Sequence, residues 1–314
     1  MFEEGTAVRS LEAELRSSNA IGCYEYCLAR SLARRTGKSP GRRFMPFRLS
    51  FIGLLAISLI TTLLSLRYIH PADASARLSP DDTPRTPALV ELFTSEGCSS
   101  CPPADALLQR LDRSQLISSA DLIVLSEHVD YWNDIGWKDP YSSHEYSERQ
   151  SAYAAQFGNA TIYTPQMVVD GRFEFVGSDE RRASQAIKEA AKAPKAPVRI
   201  SLGSGDEKAT TVHIEAGPLP SAPGSRPAGV FLAVADNSDE SQVSRGENAG
   251  RRLEHVAVLR NLTRIGTVDA SSAFSRDVNL DLKSKNRANL RLVVILQEPD
   301  AGRVWGAGSA RLSN

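Results

Sequence analysis

Apolar positions follow different rhythms in different parts of this chain. Residues 49–66 form an almost unbroken apolar run, preceded by Arg42, Arg43 and Arg48. At about 1.5 Å per residue, such a run is just long enough to cross a bilayer core. From residue 88 onward, short apolar runs of strand length alternate with stretches whose apolar residues recur every third or fourth position. That rhythm predicts strands at 88–93 and 122–125 and a helix at 98–111 through Leu107, Leu108 and Leu111. Ser142-x-x-Glu145 reads as a capping box opening a helix with Tyr146, Tyr153 and Phe157 on one face. A strand, an Asp170-Gly171 turn and a second strand follow across 163–176. Ser178 then caps a helix marked by Ala183, Ile187 and Ala191. After about residue 197 the helical period disappears. Short strands at 198–202, 211–216, 229–235, 253–259, 278–282, 290–296 and 303–310, separated by Gly, Pro, Asn and Asp, read as an antiparallel β-sandwich.

The expected class is therefore α/β. Residues 88–195 form a first domain with an insertion at 127–157, and residues 196–314 a β-sandwich-like second domain. Residues 77–87, with Pro80, Pro84 and Pro87, are a linker. Ala74-Ser75-Ala76 has the small-x-small form of a signal-peptidase site, so 49–76 is a signal peptide or a membrane anchor. Residues 1–48 are a basic extension or, with Met45 as the true start, an artefact of start-site assignment. Either way the bulk of the protein is expected in the periplasm or secreted, touching membrane only through the segment at 49–66. Disulfides persist in such compartments.

Charge adds little. Lysine plus arginine and aspartate plus glutamate both number 37, so no net field recruits nucleic acid. No phosphate-cradling glycine loop and no His-Glu-x-x-His motif occurs.

The chemistry gathers where the first strand ends. Val90-Glu91-Leu92-Phe93-Thr94-Ser95-Glu96-Gly97-Cys98-Ser99-Ser100-Cys101-Pro102-Pro103 breaks at a glycine and enters the helix through a Cys-x-x-Cys. Unpaired N–H groups and the helix dipole there favour a thiolate. Such a thiol falls from about 8.5 to between roughly 3.5 and 7.5 in pKa. The spacing also serves zinc knuckles, but a zinc site would need a second Cys or His pair. Cys23 and Cys27 precede the apolar segment, and no cysteine follows Cys101. A redox dithiol, a metal site and a plain structural disulfide all remain open on the residues alone.

The run from Val90 to Leu111, Ser126-Glu127-His128-Val129-Asp130-Tyr131-Trp132, and Thr164-Pro165-Gln166-Met167-Val168-Val169-Asp170-Gly171 resemble the domain-of-unknown-function 1223 family. That resemblance covers most of the chain from about Pro87 and implies a thioredoxin-like core and a secreted or periplasmic bacterial location. It implies no substrate.

A thioredoxin-like core gives further residues their expected roles. Pro165 takes the place of a cis-proline facing the dithiol, where the backbone of Thr164 pairs with a bound substrate; the plain alternative is a trans proline entering an edge strand. Glu91 falls near the buried acid that accepts the resolving thiol's proton, or else is a partly exposed strand glutamate paired with an arginine. The insertion, rich in Tyr131, Trp132, Trp137 and Tyr141, is a lid over the dithiol or a small local core. The Arg245-Gly246-Glu247-Asn248 loop docks the first domain or a partner, or is a surface turn.

Two classes of function fit. In the first, the chain is an exported thiol–disulfide oxidoreductase without cofactor, acting on a disulfide-containing protein or a small thiol. Cys98 attacks the target disulfide and Cys101 resolves the mixed disulfide. In the second it binds rather than catalyses: copper held by Cys98, Cys101 and His128, or a partner docked on a scaffold whose dithiol is vestigial.

Overall fold

The computed structural model describes residues 85–205, 209–221, 226–281 and 286–312, all within one compact unit spanning 76–314. The expectations for residues 1–48 and 49–76, for Cys23 and Cys27, and for most of the 77–87 linker lie outside the described residues. No helix among the described residues is long and apolar enough to cross a membrane.

The fold is mixed α/β. Its order begins β1 (Thr86–Thr94), α1 (Pro102–Ser114), β2 (Ala120–His128), α2 (His144–Phe157), β3 (Gln166–Val169), β4 (Phe173–Val176) and α3 (Glu180–Ala190). It continues as strands β5 (Val198–Gly205), β6 (Ala209–Ala216), β7 (Ala228–Gln242), β8 (Arg252–Val268), β9 (Phe274–Asp281), β10 (Leu290–Gln297) and β11 (Val304–Arg311), with a 3-10 turn at Arg287–Asn289.

β1 is buried along nearly its whole length because both of its faces are covered. Ala88, Val90 and Leu92 point to one face and pack with Leu107, Leu108 and Leu111 of α1 and Ala183 and Ile187 of α3. Leu89 and Phe93 point to the other, against Tyr146 and Tyr153 of α2 respectively. β1 runs parallel to β2, with Val90 opposite Val124, as a helical crossover through α1 requires. β3 pairs antiparallel with both β1 and β4. The Asp170-Gly171 turn forms as expected: both residues have positive φ, 52° and 62°, and Arg172 N donates to Val169 O. That is the backbone of a type I′ hairpin turn.

Two helix starts differ from the expectation by a residue. Ser143, not Ser142, caps α2: its extended backbone lets its hydroxyl accept from Glu145 N. Asp179, not Ser178, caps α3, accepting from Arg182 N. A larger difference concerns α1, which starts at Pro102 and not at residue 98, with Cys101 at its N-cap. The two prolines lack N–H groups and suit the first helical positions, so residues 98–101 form the turn that leads in.

The expected boundary at 195/196 does not divide the main sheet. Its eight strands run β11-β10-β7-β8-β2-β1-β3-β4, joining strands from both halves of the sequence. The junction is a single parallel bridge, Ser126 to Val258. At the far end Val304 N of β11 donates to Asp170 O beside β3, so the sheet curls back on itself. A three-stranded sheet, β5-β6-β9, covers the β7–β10–β11 end. Val212 and Ile214 there meet Val230, Leu232, Leu292 and Trp305 in a separate core.

β7 and β8 are 15 and 17 residues long, more than twice the apolar runs that signalled them. The polar surplus of β7, residues 236–242, pairs with residues 252–258 of β8 in a ribbon, Ser238 with Val256 and Gln242 with Arg252. The β8 side of that ribbon buries Val256 and Ala257 in the core around α1. The ribbon's tip, residues 243–251, reaches the Cys-x-x-Cys.

Candidate functional site

Cys98 and Cys101 are joined as a disulfide, with their Cα atoms 5.4 Å apart. The turn holding them is built from backbone: Cys98 N donates to Ser95 O, Cys101 N to Cys98 O, and both Ala104 N and Asp105 N to Cys101 O. Ser99 and Ser100 are exposed, but both cysteines have 0% of their surface open to solvent.

The β7–β8 tip forms the cover. Asn248 Nδ2 donates to Glu96 O at 2.8 Å and to Cys98 O at 3.0 Å, and Ser99 N donates to Glu247 Oε2 at 3.0 Å. Gly246 and Gly136 touch closely enough that a Cβ on Gly136 would lie 3.3 Å from Gly246 Cα. Gly246, at φ +77°, is in a conformation that favours glycine.

The loop between β2 and α2 closes the other side. A Cβ on Gly97 would lie 3.1 Å from Trp132 Cβ. Trp132 Nε1 donates to Thr164 Oγ1 at 2.8 Å, tying the Cys-x-x-Cys turn to the loop before β3. The Thr164–Pro165 peptide is cis. A Cβ on Gly177 would meet both Pro165 Cβ at 3.1 Å and Ala104 Cβ at 3.2 Å. Pro165 therefore sits beside the first turn of α1.

Glu91 does not sit with the cysteines. Strand alternation turns it to the face opposite α1, where Arg149 binds it through Nε and Nη2 and Tyr153 OH donates to it at 2.6 Å. An arginine-bound carboxylate on the far face of the sheet is not placed to take a proton from Cys101. The arginine pairing of the alternative is observed, but Glu91 is fully buried and not partly exposed, because α2 covers that face of β1.

The acids near the cysteines are ones the sequence reading did not single out. Thr94 Oγ1 donates to Asp105 Oδ1 at 2.9 Å, one helical turn after Cys101. Burial pushes the Asp105 carboxyl up, and the lowering effects of His255 and His128 do not offset it. Glu96 accepts from Trp137 Nε1 at 2.8 Å and pairs with His255 Nε2 at 3.2 Å. Asp139 Oδ2 lies 2.8 Å from His128 Nδ1 and accepts from Glu96 N. Burial alone would lower His128, but the Asp139 charge and hydrogen bond outweigh it and raise the imidazole. The same pair, with backbone donors from Glu96 and Tyr141, holds Asp139 down despite its burial. The His128 and His255 rings meet edge to face, 4.6 Å between centroids.

For copper the expected ligands were Cys98, Cys101 and His128. Both sulfurs are bonded to each other, and His128 is held by Asp139. Among the described residues no group of three or more His, Cys, Asp or Glu is arranged to hold a metal ion.

Of the expected site residues, the structure thus gathers Cys98, Cys101, Thr164 and Pro165 and sends Glu91 elsewhere. The arrangement is a buried disulfide between the β7–β8 tip and a buried nest of acids and imidazoles.

Comparison with known proteins gives this chain relatives of the same shape. The protein AGR_C_4864 from Agrobacterium tumefaciens is 27% identical with a TM-score of 0.57, over 74% of this chain and 97% of that one. HBP35 of Porphyromonas gingivalis is 15% identical with a TM-score of 0.55, over 73% of this chain and 76% of that one, a likeness of fold alone. No curated protein matches. A family model described as a protein of unknown function, DUF1223, matches residues 89–297, and the chain belongs to that family.

Proposed function

We propose that this chain is an exported thiol–disulfide oxidoreductase on a thioredoxin-like core, acting on the disulfide of a protein or of a small thiol. One observation carries the reading: the Cys-x-x-Cys at the entrance of α1 is tied through Trp132 to Thr164, and Pro165 lies beside Ala104 in the first turn of α1. The parallel β1–β2 pair, the antiparallel β3–β4 hairpin and helices α1 and α3 on one face support the core assignment. An oxidising compartment outside the inner membrane keeps such a pair disulfide-bonded between encounters.

Exchange proceeds by thiolate attack on sulfur, so the buried disulfide has to be uncovered first. The β7–β8 tip is the element to move, because its polar hold on residues 96–99 is a few hydrogen bonds, two donated by Asn248 and one accepted by Glu247. A second reading, a binding scaffold whose disulfide is locked, is favoured by the full burial of both sulfurs.

Equilibration of the full-length protein with glutathione redox buffers, read by thiol alkylation, separates the two. The oxidoreductase reading expects the pair to titrate between reduced and oxidised forms and Cys98→Ser to abolish exchange. A pair that stays oxidised at every glutathione ratio overturns it and supports the locked scaffold.

A further inference from the structure

The disulfide has an inner side as well as the outer side that the hairpin covers. On the inner side, Asp105 of α1 follows Cys101 by one helical turn, so the two side chains share a face. The Asp105 carboxyl stands 4.0 Å from His255 Nδ1, a buried nitrogen with no hydrogen-bond partner. His255 in turn lines a solvent-open cavity of about 520 Å³, beside Asp239, Glu240 and Glu254. No residue of the Cys-x-x-Cys lines that cavity.

We propose that Asp105 and His255 form a proton path that carries the Cys101 proton into this cavity, so that the proton leaves by a route separate from the substrate's. The proposal rests on the oxidoreductase reading. In the resolving step the Cys101 thiol gives its proton to the Asp105 carboxylate. The resulting thiolate attacks Cys98 Sγ, forming the Cys98–Cys101 bond and breaking the bond from Cys98 to the substrate sulfur. The substrate leaves as a thiolate with the electron pair and takes a proton from solvent. Asp105 passes its own proton to His255, and His255 to Asp239 or to water in the cavity.

A docked substrate would occupy the outer side and keep water from it, which gives a rear exit its use. Burial pushes Asp105 up, and burial together with the neighbouring Asp236 pushes Asp239 up to about 6. Both ends of the path therefore exchange protons nearer neutrality than an ordinary carboxylate. The groups facing His255 are Glu96 from the loop after β1, Asp105 from α1, His128 from β2, Tyr141 from the loop before α2, and Asp239 from β7. Arg113 of α1 and Glu240 and Glu254 complete the cavity wall, and Arg260 acts on Asp239.

The test is single-turnover oxidation of reduced full-length protein by glutathione disulfide, followed between about pH 6 and 8, a window that brackets the imidazole range. His255→Ala should slow closure of the Cys98–Cys101 bond at least about tenfold near neutrality, a modest share of what general acid–base groups supply. The residual rate should climb with pH, and added imidazole should restore part of the loss. Asp239→Asn, at the partly exposed rim, should slow closure in the same sense but less, and it decides the matter should His255→Ala fail to fold. If wild-type protein does not form its disulfide from glutathione disulfide, the oxidoreductase reading fails and the path with it. If wild type does so and both variants keep its pH profile, the reading stands and the path is overturned.

Discussion

Glu127 is a buried carboxyl poorly matched by its surroundings. It is fully buried, neither carboxyl oxygen has a hydrogen-bond partner, and Arg149 Nε stands 3.5 Å away while bound more closely to Glu91. Burial pushes its carboxyl well above the ordinary range; the Arg149 charge opposes this and the neighbouring Glu91 adds to it. The native state therefore holds a proton that the unfolded chain has already released once the pH passes the ordinary carboxylate range. Through that window the unfolded state binds fewer protons, so stability falls as pH rises. Glu127→Gln removes the ionisable proton while keeping the shape. It should stabilise the protein by about 1–2 kcal/mol near neutrality, with the gain shrinking toward pH 4. Urea unfolding of both forms across that range measures it; a pH-independent difference would show that Glu127 is not the titrating group. At this scale strand alternation was the decisive information. The Val90-Glu91-Leu92 pattern is uninterrupted apolar sequence apart from Glu91, which marks a strand but does not say which face the carboxylate takes.

Elements decide access to the site. The β7–β8 ribbon sets a polar β7 strand beside a buried β8 strand, and its tip contributes the contacts that seal residues 96–99. Asn248 is the firmest of these, one amide donating to two carbonyls. Asn248→Ala should leave Glu96 O without this donor and Cys98 O with Cys101 N alone, and loosen the cover. At roughly 1 kcal/mol for each of the two hydrogen bonds, reduction of the disulfide by dithiothreitol should speed up about thirtyfold. Stopped-flow fluorescence from Trp132 and Trp137 would report it, and an unchanged rate would mean that another element gates the sulfurs. The ribbon was only half legible in the chain. The apolar runs at 229–235 and 253–259 read as strands, and the Arg245-Gly246-Glu247-Asn248 loop stood out as a dock for the first domain or a partner. The stretch from Asp236 to Gln242 carries no apolar alternation, because only its β8 partner strand faces the core. The Cys-x-x-Cys and the Asp170-Gly171 hairpin were legible because local chemistry fixes each. Asp105 and His255 were not, because their meeting depends on β8 lying against α1, a contact between residues about 150 positions apart.

At the scale of the whole molecule, the main sheet binds the two halves of the sequence into one body. β8 meets β2 through a single bridge, which alone is a weak seam. Side chains reinforce it on both sides. Arg291 of β10 forms two hydrogen bonds to Asp112 of α1, both groups nearly buried. Gln297 of β10 donates to Tyr153 OH of α2 and accepts from Arg149. Lys195 pairs with Asp170 and reaches Val304 O. Removing one partner from a buried pair of this kind costs about 3–5 kcal/mol, a large part of the 5–15 kcal/mol that stabilises a typical domain. The halves should accordingly not unfold independently. The chain's three tryptophans make this measurable, since Trp132 and Trp137 flank the Cys-x-x-Cys and Trp305 lies in the core beneath β5-β6-β9. A Trp305→Phe variant reports the first region alone, and a Trp132→Phe/Trp137→Phe variant the second. Their urea transitions should coincide, as two-state unfolding requires. Arg291→Ala should shift both transitions down together, because its partner lies across the seam. Two separated midpoints, or an Arg291→Ala shift confined to the Trp305 signal, would instead make residues 196–314 a domain with a stability of its own.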